Sequence, residues 1–367
     1  MRTIAAPTAA LALTLCATST AVAPVASAQT QAAAVSPLTT APLRPNGQAQ
    51  KWFGIAQADD RVEAVTVHSA AMNRDIPLAL IPATDGNGNH IENAPTIYML
   101  NGAGGAEQNN DWLSDNPTTA DNVGTIDFYS EKGVNVVIPM AGAFSYYLNW
   151  VEQPNGTYLQ GPQQWETFLT TELPGAVEPH LNAGEKRGII GFSMSALSAM
   201  LLAEHHPGMY DAVAGFSGHY QTFTEVDHFM HGKTLERGGA TPKQMLGPAG
   251  SPASAHADAV INAEGLRGAA IYASNGSGLA SETDQIGYYA GRGINPLAAL
   301  PSVVELQTTG GVIETATNAS THNLDAKLQS LGIPATFNYR DTGTHSWPSW
   351  RSDVHESWPV FEGAFAQ

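Results

Sequence analysis

The 367-residue chain holds one cysteine, Cys16, and few charged residues (13%), with 16 Lys and Arg against 33 Asp and Glu. A single cysteine excludes an internal disulfide framework, so a hydrophobic core has to supply the stability. The shortage of basic residues leaves a formal net charge of −17, which argues against nucleic acid and anionic membrane surfaces as partners. Past the N-terminus no run is long and apolar enough to span a bilayer, and there is no internal repeat. Low charge with abundant Gly, Ala, Asn and Thr fits a secreted protein that works on neutral or sugar-bearing substrates.

The first residues read as an export signal. Arg2 supplies a positive start, 9–22 a modest apolar run, and Ala26-Ser27-Ala28 a small-residue cleavage site before Gln29. Ala21-Val22-Ala23 is a second, weaker site. The run is too short and too rich in Thr and Ser to anchor the chain, and Leu15 is too large for lipoprotein processing at Cys16. The expected organisation is a signal peptide at 1–28, a flexible leader at 29–50, and one catalytic domain at 51–367. About 320 residues can bury roughly three quarters of their unfolded surface in a single domain.

Short β-branched runs at 62–67, 76–81, 96–100, 134–138, 213–216, 270–273 and 335–339 read as strands. Helical periodicity appears at 165–181, with Pro174 expected to break or kink it, and at 196–204, 314–331 and 349–360. Strands alternating with helices predict an α/β fold around a mostly parallel sheet. Segment 220–263 lacks β patterning and reads as a cap or insertion over the active-site edge.

Gly191-Phe192-Ser193-Met194-Ser195 follows the apolar run Gly188-Ile189-Ile190 and precedes an Ala/Leu/Met-rich helix. Strand, tight turn and helix make the context of a nucleophile elbow, with Ser195 where the usual pattern has glycine. A serine hydroxyl needs a histidine base, and the base needs an orienting acid. His345, in Gly343-Thr344-His345-Ser346-Trp347 after the last predicted strand, has the position of the base. His205-His206 reads as a surface pair on the elbow helix, and His219 precedes every plausible acid. Order and spacing leave Glu305, Glu314 and Asp325 open as the acid. Two backbone N–H groups should receive the oxyanion: Met194, and one from the glycine-rich stretch Asn101-Gly102-Ala103-Gly104-Gly105. That stretch lacks the spacing and lysine of a phosphate loop. Glu225, Asp227, His228 and His231 form a metal-like cluster, but the H-E-x-x-H pattern is missing, so a solvated polar insertion without metal is expected.

These residues resemble the mycolyltransferases, the antigen 85 group of mycobacteria and their corynebacterial relatives, over most of 62–359. The hairpin Ala71-Met72-Asn73-Arg74-Asp75-Ile76, the helix Trp165-Glu166-Thr167-Phe168-Leu169-Thr170, the elbow, His205-His206-Pro207, Phe216-Ser217-Gly218 and Gly343 to Trp347 all carry the likeness. The resemblance implies an α/β-hydrolase fold with Ser193 as nucleophile, His345 as base and Glu314 as acid. Glu314 stands at the family's distance, just over thirty residues before the histidine. It implies Ala103 and Met194 as the oxyanion amides, Asn101, Gly102 and Trp347 at the sugar subsite, and no metal or organic cofactor. The implied reaction moves a mycolyl group from trehalose monomycolate to a second trehalose monomycolate or to cell-wall arabinan. A carboxylesterase with the same triad and a non-catalytic envelope-binding protein are the alternatives. Asn101 and Gly104 replace an Asp and an Arg of the family pattern, Ala273 replaces a reactive cysteine, and much of 279–309 has no antigen 85 counterpart.

Overall fold

Nine strands form one sheet in the computed structural model, which describes residues 34–114 and 124–367. The predicted signal peptide at 1–28 lies outside the described residues. The strands are β1 (Val35–Pro37), β2 (Glu63–Ser69), β3 (Arg74–Ile81), β4 (Ala94–Met99), β5 (Asn135–Pro139), β6 (Ala183–Phe192), β7 (Ala212–Phe216), β8 (Ala270–Asn275) and β9 (Thr336–Tyr339). Their order is β1-β2-β3-β5-β4-β6-β7-β8-β9. β1, β2 and β3 pair antiparallel, β3 meets β5 antiparallel, and every pair from β5 to β9 is parallel. This is an α/β-hydrolase architecture.

Every residue of β5 and β7 is buried, as expected where helices cover both faces of a parallel sheet. One face packs the helix Met194–His205 through residues such as Leu197, Met200 and Leu201. The other packs Trp52, Ile126 and the C-terminal helix Trp347–Phe365 through Trp350, Val354 and Phe361. Among the described residues no helix is long and apolar enough to cross a membrane.

Three of the expected segments take definite form. The segment read as a flexible leader is ordered from residue 34 onward, for β1 pairs with β2 and the Leu38 N–H donates to Ala64 C=O at 2.9 Å. The exposed edge of β2 offers hydrogen bonds that composition cannot register. Pro174 does not end its helix. A π-helical turn, Phe168–Glu172, precedes it within a helical run from Trp165 to His180. Segment 220–263 is helical: Glu225–Gly238 and Pro242–Leu246 each start with a capping box, Thr224 with Asp227 and Thr241 with Gln244.

Candidate active site

β6 ends at Phe192 and the next helix starts at Met194, so Ser193 alone makes the turn, at φ 54 and ψ −117. A non-glycine residue there is strained, and a site that fixes it has over-determined the surrounding contacts. Those contacts are visible. A Cβ on Gly191 would lie 2.0 Å from the Ser195 carbonyl oxygen, and one on Gly218 would lie 2.6 Å from Ala196 Cβ. Ser195 has its own use: its hydroxyl accepts from Phe192 N–H at 3.0 Å and reaches Leu100 C=O at 3.1 Å. The turn is thereby tied to the end of β4.

The turn aims Ser193 at His345. His345 Nε2 is 2.7 Å from Ser193 Oγ, and His345 Nδ1 is 2.8 Å from Glu314 Oε2. The other Glu314 oxygen accepts from Ser217 Oγ at 2.8 Å and from Gly276 N–H at 2.6 Å. Glu314 is fully buried and His345 is 11% exposed. The remaining acids stand elsewhere: Asp325 bonds Tyr339 and Gln329, and Glu305 is exposed. Of the three, Glu314 alone reaches the histidine. It sits in the first turn of Gly311–Leu331, directly after a π-helical turn, Leu306–Gly310.

The histidine loop is held by residues that sequence reasoning missed. Buried Asp284 accepts from Thr344 N–H at 3.2 Å and from Ser346 Oγ at 3.1 Å, on either side of His345. Leu279 C=O accepts from Gly343 N–H at 2.7 Å. Both come from 279–309, the segment without an antigen 85 counterpart. Trp350 packs its ring edge-on to His345, centroids 5.0 Å apart, and donates to Ser217 Oγ at 3.1 Å. The only sequence signal for Asp284 was a Ser-x-x-Asp helix start at Ser281, which points to capping rather than to a clamp.

The residues expected to receive the oxyanion are Met194 and Ala103. Met194 is the first helical residue, where an N–H has no acceptor within the helix. Ala103 follows β4; the Gly102 carbonyl, on the peptide that carries the Ala103 N–H, accepts from Gly105 N–H at 3.2 Å, and the Ala103 carbonyl accepts from Phe144 N–H at 2.8 Å. Glu107 braces the same region by accepting from Gly142 and Ala143 N–H at 2.8 and 3.1 Å. Burial pushes its carboxyl above the usual range.

The expected sugar subsite is reassigned in part. Asn101 is fully buried, donating to Pro139 C=O at 2.8 Å and accepting from Trp112 N–H at 3.1 Å. Gly102 lies against Phe192, whose ring a Cβ would meet at 2.6 Å. Both are scaffold, because the strand end they occupy is already packed. Trp347 is half-buried over Phe192 and Trp112 and donates to Asn110 Oδ1 at 2.6 Å, bridging the histidine loop to the segment that follows β4.

The cluster expected to be solvated is mostly buried. Asp227, His228 and His231 share the inner face of Glu225–Gly238, while Glu225 is exposed. Asp227 holds His219 Nε2 at 2.9 Å, and His231 bonds Tyr146 OH at 3.1 Å and Gln221 C=O at 2.8 Å. Burial, reinforced by His219 nearby, pushes the His231 pKa down to about 3, so it is a neutral core histidine.

Comparison with known proteins places the chain further. A family model described as "Putative esterase" matches residues 69–359. The chain is 28% identical over 308 residues to the diacylglycerol acyltransferase/mycolyltransferase Ag85B of Mycobacterium avium, covering 82% of this chain and 83% of that one. It is 28% identical over 300 residues to the corresponding Ag85A of Mycobacterium leprae, covering 81% and 82%. The crystal structure of Mycobacterium tuberculosis MPT51 (FbpC1) matches with a TM-score of 0.60 at 20% identity, covering 83% of this chain and 98% of that one.

Proposed function

The chain belongs to the esterase family and is an enzyme of acyl chemistry, and from this premise we propose that it is an exported serine acyltransferase of mycolyltransferase type. The observation that carries this reading is the unbroken hydrogen-bonded line from Ser193 through His345 to Glu314, with Ser193 raised on a strained turn. The acyl donor is a trehalose mycolate, as the mycolyltransferase relatives and the shared motifs suggest.

In this mechanism His345 Nε2 takes the Ser193 proton as Oγ attacks the ester carbonyl. The Ala103 and Met194 N–H groups receive the oxyanion. Glu314 holds the Nδ1–H tautomer and balances the imidazolium charge. As the tetrahedral intermediate collapses, the C–O bond to the sugar breaks and His345 returns the proton to the leaving alkoxide. A hydroxyl of a second trehalose monomycolate or of cell-wall arabinan then gives its proton to His345 and attacks the acyl-enzyme; the acyl C–Oγ bond breaks and His345 returns the proton to Ser193 Oγ. No metal or organic cofactor enters these steps. Export rests on the signal-like segment at 1–28.

Mass spectrometry of the protein incubated with trehalose monomycolate, or a short-chain analogue, tests the reading. The expected result is an acyl adduct on Ser193 and more trehalose diester than free acid. Free acid alone would make the protein an esterase. A folded protein giving neither adduct nor product would make it a binding module.

A further inference from the structure

Far from the serine, at the other end of the elbow helix, three histidines and a glutamate converge. Glu166 Oε1 lies 3.0 Å from His205 Nδ1 and 3.0 Å from His206 Nε2. The His256 ring stacks on His205, centroids 4.0 Å apart, and one ligand atom from each of Glu166, His205 and His256 lies within 4.8 Å of the others. The side chains of Glu166 and His205 are only 14% and 9% exposed, while His256 is exposed.

The proton inventory is the informative part. The other nitrogen of His205, Nε2, faces the His256 carbonyl at 2.9 Å, so it must carry a hydrogen. A neutral His205 then presents a bare lone pair at Nδ1 to the Glu166 carboxylate, and two acceptors cannot face each other at that distance. A proton, on Nδ1 or on the carboxyl, fills such a contact, and a metal ion can take its place.

We propose that Glu166, His205, His206 and His256 form a binding site for a divalent first-row transition metal of the Zn²⁺ class. Imidazole and carboxylate are the donors that such ions select. Tetrahedral Zn²⁺ with bonds of about 2.0–2.1 Å sets neighbouring donor atoms roughly 3.3 Å apart, so the Glu166 contacts open by only ~0.3 Å. His256 turns from its stack on His205, which its exposed position permits. The bond from His205 Nε2 to a backbone carbonyl is the usual brace of a metal-ligating histidine. Glu166 is a formal anion, and His205 stands in the last turn of Met194–His205, where a helix favours cations. The ion would clasp the short helix Pro252–His256 onto the nucleophile-bearing helix, independently of the acyl chemistry.

The test is titration of untagged, chelator-treated protein with Zn²⁺ against a chromophoric competitor, and with Co²⁺ followed by visible absorption. One equivalent per chain is expected, with Co²⁺ bands of tetrahedral N/O coordination. Affinity should fall by more than about tenfold in His256→Ala and in His205→Gln. It should persist in His180→Ala, which removes a separate exposed His–Glu pair. His256 is exposed, so its variant should fold, and circular dichroism checks that it does. No stoichiometric binding, or equal affinity in wild type and His256→Ala, would overturn the proposal, as would loss of binding in His180→Ala.

Discussion

Replacing Glu314 with Gln changes one atom and separates geometry from charge. The amide oxygen can still accept from Ser217 and Gly276, at 2.8 and 2.6 Å in the wild type. Its NH₂ then faces His345 Nδ1 across 2.8 Å. A donor there obliges Nδ1 to accept, which moves the imidazole hydrogen to Nε2 and points it at Ser193 Oγ. The base is then blocked by its own proton. The opposite amide rotamer sets NH₂ against Gly276 N–H, two donors at 2.6 Å, and is disfavoured. The imidazolium formed during acylation also loses its counter-charge at a fully buried acid. The corresponding amide swap in a serine protease costs about 10⁴ in kcat. We therefore expect a fall of roughly 10³–10⁴ in the acylation rate, about 4–5.5 kcal/mol at ~1.36 kcal/mol per decade. The assay is the pre-steady-state burst from a short-chain p-nitrophenyl ester, with circular dichroism to verify folding. Glu305→Gln and Asp325→Asn should leave the burst unchanged. A folded Glu314→Gln protein that acylates within about tenfold of wild type would refute the role assigned to Glu314.

Asp284→Ala should lower kcat by about 100-fold with little change in KM for a small ester, since it frees the Thr344 N–H and the Ser346 hydroxyl on either side of His345 without touching substrate; Asp284→Asn, which keeps one acceptor, should recover part of that loss. Gly191→Ala should cost more than about 3 kcal/mol in urea denaturation, because its Cβ would lie 2.0 Å from a backbone oxygen. His231 contributes an acid-side instability. Its folded pKa of about 3 lies below the ordinary 6.5, so unfolding takes up a proton and stability falls as pH drops from about 6.5 towards 3. The slope is up to ~1.4 kcal/mol per pH unit. The groups facing the ring are His219, Asp227, His228 and Tyr146. His231→Gln should flatten this limb in urea midpoints measured across that range, and an unchanged slope would show that His231 is not its source.

The local chemistry of this protein was legible in its sequence because it depends on residues that are neighbours in the chain. Gly191 to Ser195 between a β-branched run and an Ala-rich helix predicts the elbow, and the placement of Ser193 at positive φ follows from that short-range pattern. The central strands were legible for a similar reason, since two buried faces demand continuous apolar runs such as Val136-Val137-Ile138. The acid was not. Glu305, Glu314 and Asp325 look alike in order and spacing, and resemblance to a family had to favour one. Only folding brings Glu314 against His345, Ser217 and Gly276 together.

The same limit explains the errors. Asn101 sits in a glycine-rich loop, and sequence says nothing of the Pro139 carbonyl and the Trp112 N–H that consume its amide. The polar face of Glu225–Gly238 looked solvated because charge and histidine count as exposed until a partner such as His219 or Tyr146 is known. Asp284 and the Glu166 cluster join positions tens of residues apart or more. A hydrogen bond or an ion site is a relation between atoms about 3 Å apart in space. Composition and periodicity report which residues can enter such relations, and the tertiary structure decides which of them do.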